Sequence, residues 1–198
     1  MNDPSETQTG SPTAARKRPK KWILILGGFL IFLISCALYF GPPVLLEAKS
    51  VAKREVGVAS ANQIGTAVTS YYHDYNTLPV PPTTKGTPGG TRFSTDTPEG
   101  LEVVNLLAGD NPRKVKYLTF RDAKGRKDGA VYDAGGSRIT ALYDPWGNPY
   151  FIVVDTNYDE KLTVPFKIPV FINGKRCVVY SAGQDGVFET NDDIKTWP

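Results

Sequence analysis

The sequence predicts an α+β fold, in which one long N-terminal helix packs against a small antiparallel β-sheet. Apolar residues recur every three or four positions along one helical stripe, namely Ile64, Val68, Tyr71 and Tyr75. Four later segments are rich in β-branched and aromatic residues, namely 115–120, 149–155, 164–171 and 176–183. No helical pattern between these segments is long enough for a parallel crossover, so we expect the strands to pair antiparallel.

The predicted N-terminal helix of this domain begins at Val44 and ends near His73 or Asp74. Residues 41–43 read Gly-Pro-Pro, which fits a kink or the first turn of a new helix, because proline lacks the donor that a helix interior needs. The polar surface of the helix is formed by Lys49, Lys53, Arg54 and Asn62. Residues 76–90 contain too many prolines and glycines for a helix or a central strand.

A short second helix is predicted over residues 99–108. Thr97 is suited to be its N-cap, and Pro98 fits the first helical position, where a missing backbone donor is harmless. Gly109 can adopt the left-handed conformation that commonly ends a helix.

The charge distribution divides the chain of 198 residues into a tail, an apolar segment and one domain. Residues 1–21 carry a net charge of +3, and residues 22–40 carry no charged side chain. The remainder has 18 basic and 18 acidic residues, a balance that predicts no nucleic-acid partner. The tail is rich in Ser, Thr, Pro and charged residues, which predicts disorder.

Residues 22–40 are predicted to form a transmembrane helix. As a helix they extend about 28 Å, close to the ~30 Å thickness of the hydrocarbon core. The basic cluster that precedes them favours a cytoplasmic N-terminus. We therefore expect a single-pass protein of the bacterial inner membrane, with residues 44–198 forming a periplasmic domain.

A second interpretation of the apolar segment is a lipoprotein signal. Leu33 to Cys36 read Leu-Ile-Ser-Cys, which resembles the lipobox that ends at a lipidated cysteine. The apolar character continues over residues 37–40, whereas a mature lipoprotein usually becomes polar soon after its cysteine. An uncleaved anchor and lipidation at Cys36 both stay open.

The sequence offers no set of residues for catalysis. His73 is the single histidine, and we interpret it as a residue of the helix surface. Cys36 and Cys177 lie far apart and outside any metal-binding or redox motif, so a disulfide between them is not expected. Asp122 and Asp128 belong to a charged loop without a partner base. We expect a protein that is not an enzyme and has no small-molecule substrate.

The stretch from Ser181 to Ile194 concentrates negative charge in a short loop broken by glycine. Its acidic residues are Asp185, Glu189, Asp192 and Asp193. Asp192 and Asp193 follow Asp185 by seven and eight residues. Gly186, directly after Asp185, permits a tight turn that lets the chain return towards it. Like charges at such proximity are either solvated or hold a cation, and calcium binds 6–8 oxygen ligands.

Residues 155–163 also invite a calcium interpretation, because Asp155, Asn157 and Asp159 alternate as they do at the start of an EF-hand loop. The loop lacks the glycine expected at its sixth position, where Glu160 stands, and the glutamate expected at its twelfth, where Phe166 stands. We expect a polar hairpin turn between two strands.

Residues 144–147, Asp-Pro-Trp-Gly, predict a structural turn. Asp144 can cap the turn, and Pro145 fixes its φ angle. Trp146 is expected to pack against the long helix, while Gly147 permits the bend into the next strand.

Four segments resemble the type IV pilin-like fold, and in particular the major pseudopilin of type II secretion systems. They are the helix at 47–80, YDPWGNPY at 143–150, VVYSAGQDG at 178–186, and NDDI at 191–194 followed by Trp197. Together they cover most of residues 44–198. The resemblance implies a membrane-anchored structural subunit whose partners are copies of itself or other subunits of a secretion apparatus.

The resemblance also implies a structural calcium site in the C-terminal loop. The implied ligands are the carboxylates of Asp185, Asp192 and Asp193, the carbonyl groups of Ala182 and Val187, and the hydroxyl of Thr190. Glu189 is a further candidate. Such an ion would fasten the loop to the sheet, so that its binding energy contributes to folding.

The N-terminus departs from the family pattern. Prepilins are cut between Gly and Phe directly after a basic leader, whereas Gly28-Phe29 lies inside the apolar segment, and Leu33 occupies the position of the family's glutamate. We expect an uncleaved anchor, with cleavage before Phe29 and lipidation at Cys36 as the alternatives. The alternative function is a stand-alone periplasmic lipoprotein or an anchored binding module that uses the same fold.

Overall fold

The computed structural model describes residues 21–198, without the side chains of residues 21–24, 33 and 36–46. The chain divides into two compact units, Met1–Leu46 and Glu47–Pro198, and each is described by itself. Except for Lys21, the predicted disordered tail lies outside the described residues.

In the first unit, the described part is the beginning of helix α1, which is assigned over Lys21–Tyr75. Its described large apolar side chains are exposed, namely Ile25, Leu26, Phe29, Leu30, Ile31, Phe32 and Ile34. Within the described part of the chain, no helix combines the length and the apolar character that crossing a membrane requires. The predicted spanning segment includes Cys36 and other residues whose side chains are outside this description.

Helix α1 is assigned without interruption through residues 41–43, so the start of a new helix there, one of the two alternatives predicted for this segment, is wrong. The φ angle that proline imposes is compatible with a helix, even though its ring removes a donor. The predicted C-terminal end is confirmed to within two residues, at Tyr75. Asn76 follows with φ of 54°, the left-handed conformation that ends many helices.

In the second unit, Glu47–Pro198, the predicted α+β class with antiparallel pairing is confirmed. The elements after α1 are β1 (Thr91–Ser94), α2 (Pro98–Ala108), β2 (Gly129–Tyr132), β3 (Ile139–Tyr143), β4 (Phe151–Val154), β5 (Lys161–Val164), β6 (Val170–Asn173), β7 (Cys177–Ser181) and β8 (Ile194–Lys195). An antiparallel sheet has the strand order β1-β4-β7-β8, and β2-β3 and β5-β6 form separate antiparallel pairs.

Helix α2 confirms the predicted capping signals. The Thr97 side chain accepts a hydrogen bond from the backbone N–H of Gly100, and Pro98 is the first helical residue. Gly109 ends the helix in the left-handed conformation, with φ of 117°. The signals are local in the sequence, which is why they suffice to place this helix.

Residues 115–120 were predicted to form a strand, and this is wrong. The backbone N–H groups of Tyr117 and Leu118 donate to the carbonyl of Leu107 in the last turn of α2. Leu118 is buried in the core without joining a strand ladder. The backbone N–H groups of this segment find their acceptor at the C-terminal end of α2 instead of in a sheet. The apolar composition of the segment could not reveal this.

Residues 164–171 were predicted to form one strand, and they are divided between two. β5 ends at Val164 and β6 begins at Val170, so that the connection contains Pro165 and Pro169. Proline cannot donate to a ladder, which explains why the chain turns here.

The four-stranded sheet lies between two hydrophobic layers. The helical stripe of α1 is confirmed as a core surface, with Ile64 and Val68 fully buried, and it packs with α2 and one face of the sheet. The opposite face packs against the β5-β6 hairpin. In β4, Ile152 and Val154 belong to the first layer and Val153 to the second, as the alternation of a strand requires. Both layers lie within residues 47–198, so this unit has its own core.

Candidate metal site in the C-terminal loop

The C-terminal loop, residues 182–193, connects the two strands β7 and β8. Ser181 pairs with Ile194, and Tyr180 pairs with Lys195. Ser181 and Ile194 are fully buried. The ends of the loop are therefore fixed by the sheet, and the residues predicted to bind calcium lie on the segment between them.

Asp192 closes the loop back onto its beginning. Its Oδ2 accepts hydrogen bonds from the backbone N–H groups of Gln184 (2.5 Å) and Asp185 (3.0 Å). Its Oδ1 accepts from the Thr190 hydroxyl at 2.6 Å. Burial raises the pKa of Asp192, but these donors outweigh it, and the pKa lies below the ordinary value for aspartate.

The close return of the chain requires a glycine at position 183. Gly183 has φ of 65°, and a Cβ atom there would lie 2.3 Å from the carbonyl oxygen of Asp192. Any other residue would displace Asp192 from its donors.

Asp193 is the least satisfied carboxylate in the loop. It is 1% exposed, and its Oδ2 accepts a hydrogen bond from the backbone N–H of Glu189 at 2.9 Å. Its Oδ1 is buried and has no hydrogen-bond partner among the described residues. Desolvation raises the pKa of Asp193. A buried charged oxygen without a partner is costly, and it is the kind of atom that a cation would satisfy.

The remaining predicted ligands differ in their environments. Asp185 is exposed, and its Oδ1 accepts from the N–H of Val187 at 2.8 Å. The carbonyl oxygen of Val187 lies 3.2 Å from the Thr190 hydroxyl. Ala182 is buried at the beginning of the loop. Glu189 lies at φ of 70°, and its carboxylate accepts a hydrogen bond from the backbone of Lys167 in the β5-β6 connection.

The backbone N–H of Asp185 and the carboxylate of Asp192 are thus joined by one hydrogen bond, and the side chain of Asp193 is buried. In the described range, no group of three or more His, Cys, Asp or Glu side chains is arranged to hold a metal ion. Both carboxylate oxygens of Asp192 accept hydrogen bonds from donors of the loop itself.

The turn at Asp144 supports the beginning of the loop, and its predicted structural role is confirmed. Asp144 is fully buried, and its Oδ1 accepts from the N–H groups of Trp146 (2.8 Å), Gly147 (2.7 Å) and Asn148 (2.9 Å). The Asn148 side chain donates to the carbonyl of Gly183 at 2.6 Å. Trp146 packs against the helix-side core, as predicted.

Helix α1 contributes a stripe of residues that the sequence interpretation missed. Ser50 donates to the side chain of Gln184 at 2.5 Å, and Arg54 donates to the carbonyl of Asp193 at 3.2 Å. One turn later, a Cβ atom on Gly57 would lie 2.3 Å from Ile194 Cδ1. Arg54 was interpreted as polar helix surface. Only the spacing of 50, 54 and 57 on one helical face could have indicated this contact.

Comparison with known proteins gives no match, since no protein-family model, curated protein or solved structure matches the chain.

The second acidic segment, residues 155–163, forms a turn. The carboxylate of Asp155 is buried and accepts from the N–H groups of Asp159 (3.2 Å) and Glu160 (2.9 Å). The turn joins β4 to β5, which pair with other strands and not with each other, so the predicted hairpin is wrong.

The other titratable residues singled out from the sequence lie outside the C-terminal loop. His73 is exposed on α1, as predicted. Asp128 forms an ion pair with Arg121. Cys177 is a free thiol within the described part of the chain, and burial raises its pKa to about 12, which makes it unreactive at neutral pH.

Proposed function

We propose that this protein is a non-enzymatic, membrane-anchored, pseudopilin-like subunit of a type II secretion or pilus-like apparatus, and that its C-terminal loop binds calcium. One observation carries the proposal. The Oδ1 atom of Asp193 is buried and has no hydrogen-bond partner among the described residues, and the same loop also contains Asp185 and Asp192. A buried carboxylate oxygen of this kind fits a hard divalent cation.

Calcium suits the donor set of the loop better than a softer metal does. It prefers carboxylate, carbonyl and hydroxyl oxygens, and its coordination geometry is flexible. The residues that would hold it are Asp185, Asp192, Asp193, Ala182, Val187 and Thr190. When bound, the ion supplies positive charge to Asp193 and joins the two ends of the loop, which would stabilise the fold rather than take part in a reaction.

The proposed anchor is residues 22–40, with the basic tail in the cytoplasm and residues 44–198 in the periplasm. It is supported by the uncharged sequence of this segment and by the exposure of its described apolar side chains, from Ile25 to Ile34. A helix that is apolar on all sides is typical of a membrane span, and basic residues before it favour a cytoplasmic N-terminus. The proposed partners are other copies of the chain or other subunits of the apparatus.

The calcium part of the proposal is tested by thermal unfolding of the full chain in detergent micelles, with calcium and with chelator. At a free calcium concentration of one hundred times Kd, we expect the Tm to rise by about 5–10 °C. Asp193→Asn should remove most of this rise, because it removes the charge and keeps the shape of the side chain. Asp159→Asn, a change in the other acidic turn, is the matched control and should keep the rise. An identical melting curve with and without chelator would refute calcium binding.

A further inference from the structure

Two residues on one face of α1 contact the C-terminal loop directly, and a third on the same face lies against the first residue of β8. Ser50 bonds to Gln184, Arg54 to the backbone of Asp193, and Gly57 lies against Ile194. All three lie in the second unit, so the contact is internal to it. Near its two ends the loop is therefore supported both by the sheet and by helix α1.

At the centre of this contact, two oppositely charged side chains each have an unsatisfied buried atom. Arg54 donates to the carbonyl oxygen of Asp193 at 3.2 Å, yet its Nε is buried and lacks a partner within the described residues. Asp193 Oδ1 is buried and lacks a partner in the same part of the chain. A guanidinium held in place by the backbone of an aspartate contributes positive charge to the surroundings of that carboxylate.

We propose that Arg54 is a further residue of the calcium site, one that compensates Asp193 when no ion is bound and opposes the ion when it binds. This inference rests on the proposed function, since it concerns the same loop. It assigns to Arg54 two effects of opposite sign. The guanidinium stabilises the loop without calcium, and it weakens the affinity of the loop for calcium.

The second effect follows from simple electrostatics. A unit positive charge and a divalent cation repel each other, and salt and water screen part of this repulsion. We expect at least about a fivefold change to remain, because Arg54 is partly buried.

Burial raises the pKa of Asp193, and the positive charge of Lys195 offsets part of that rise. Lys195 differs from Arg54 because no hydrogen bond between its side chain and the loop is found in the described structure. The adjacent Asp192 has the opposite effect on Asp193. Arg54 is thus the cation that is fixed to the loop by a bond.

The experiment compares variants of the full chain in detergent micelles by calorimetric titration with calcium and by thermal unfolding in chelator. Arg54→Gln should bind calcium at least about fivefold more tightly than the unmodified protein and should unfold at a lower temperature in chelator. Arg54→Met, which keeps the aliphatic stem, should show the same tightening. Arg54→Lys keeps the charge and should bind calcium as the unmodified protein does.

Lys53→Gln is the matched control, because it removes one positive charge from an exposed neighbour on α1. It should change neither property. If both neutral variants of Arg54 bind calcium no more tightly than the unmodified protein, the inference is overturned. Should the unmodified protein bind no calcium, the proposed function fails. In that case, binding acquired by Arg54→Gln supports the inference, and its continued absence overturns it as well.

Discussion

The hydroxyl of Ser181 donates a hydrogen bond of 2.6 Å to Oδ2 of Asp144, and both side chains are fully buried. Asp144 begins the Asp-Pro-Trp-Gly turn before β4, and Ser181 ends β7, from which the C-terminal loop starts. The bond therefore joins two sequence motifs that lie 37 residues apart. It makes the turn a support of the loop rather than an independent feature.

Asp144→Ala should destabilise the second unit strongly. The carboxylate accepts three backbone N–H groups and the Ser181 hydroxyl, so its removal leaves several buried donors without a partner. We expect a loss of about 3 kcal/mol in the free energy of unfolding, measured by urea denaturation. Asp133→Ala removes a similar cap from an exposed turn and should cost less. Equal losses for the two variants would contradict this role of Asp144.

Asp192→Ala should act in two ways. In chelator it should lower the Tm, because Gln184, Asp185 and Thr190 lose the acceptor that holds the loop closed. In calcium it should show little or none of the rise expected for the unmodified protein, because it removes a proposed ligand. Thermal unfolding under both conditions measures the two effects. A variant that melts like the unmodified protein in chelator would mean that these hydrogen bonds contribute little.

The raised pKa of Asp193 predicts how stability depends on pH without calcium. Its folded-state pKa lies above the ordinary value of 3.8, so the folded protein takes up this proton at a higher pH than the unfolded chain does. Stability attributable to Asp193 should therefore increase as the pH falls through its folded-state pKa towards 3.8. The Tm of the unmodified protein and that of Asp193→Asn are measured in chelator from pH 7 to pH 4. As the pH falls, the Tm of the unmodified protein should rise relative to that of the variant.

Asp192 should have the opposite dependence. Its folded-state pKa lies below 3.8, so its contribution is fully present above that value and is lost as the pH falls through the folded-state pKa. The effects of Asp192 and Asp193 on stability fall in different pH ranges, which allows them to be separated.

The prediction for Asp193 has its own contradicting outcome. A pH dependence of Asp193→Asn identical to that of the unmodified protein would show that Asp193 is not the group that titrates.

Two glycines of α1 should respond to alanine with opposite signs. At Gly57, a Cβ atom would lie 2.3 Å from Ile194 Cδ1 and 3.2 Å from Pro145 Cδ, and Ile194 is fully buried. Gly57→Ala should therefore lower the free energy of unfolding by about 1–2 kcal/mol, because the cost of overpacking exceeds the gain in helix propensity from glycine to alanine. At Gly65, no described atom would lie within 4 Å of the new Cβ, so Gly65→Ala should raise stability by up to about 1 kcal/mol. Urea denaturation measures both, and stabilisation by Gly57→Ala would refute the close approach.

The state of the N-terminus distinguishes the proposed anchor from its alternatives. Intact-mass measurement of the protein purified from bacterial membranes should show the basic tail still attached. A mature chain that begins at Phe29 would instead indicate prepilin cleavage and favour assembly into a filament. A lipid adduct on Cys36 would indicate the lipoprotein.

The sequence by itself determined the features whose signals lie close together in the chain. Thr97, Pro98 and Gly109 placed α2, because each acts on backbone groups within one turn of itself. The stripe that contains Ile64 and Val68 identified the buried face of α1, because helical periodicity requires only local geometry. The antiparallel class followed from the absence of crossover helices.

Only the tertiary structure decided where backbone groups far apart in sequence find their partners. Residues 115–120 have the composition of a strand but bond to the end of α2, and Pro165 and Pro169 interrupt a segment that read as one strand. The contact between Arg54 and Asp193 joins residues 139 positions apart. A basic residue on a helix has the same local pattern whether it faces water or the backbone of a folded loop, and only the packing of the loop onto α1 distinguishes the two.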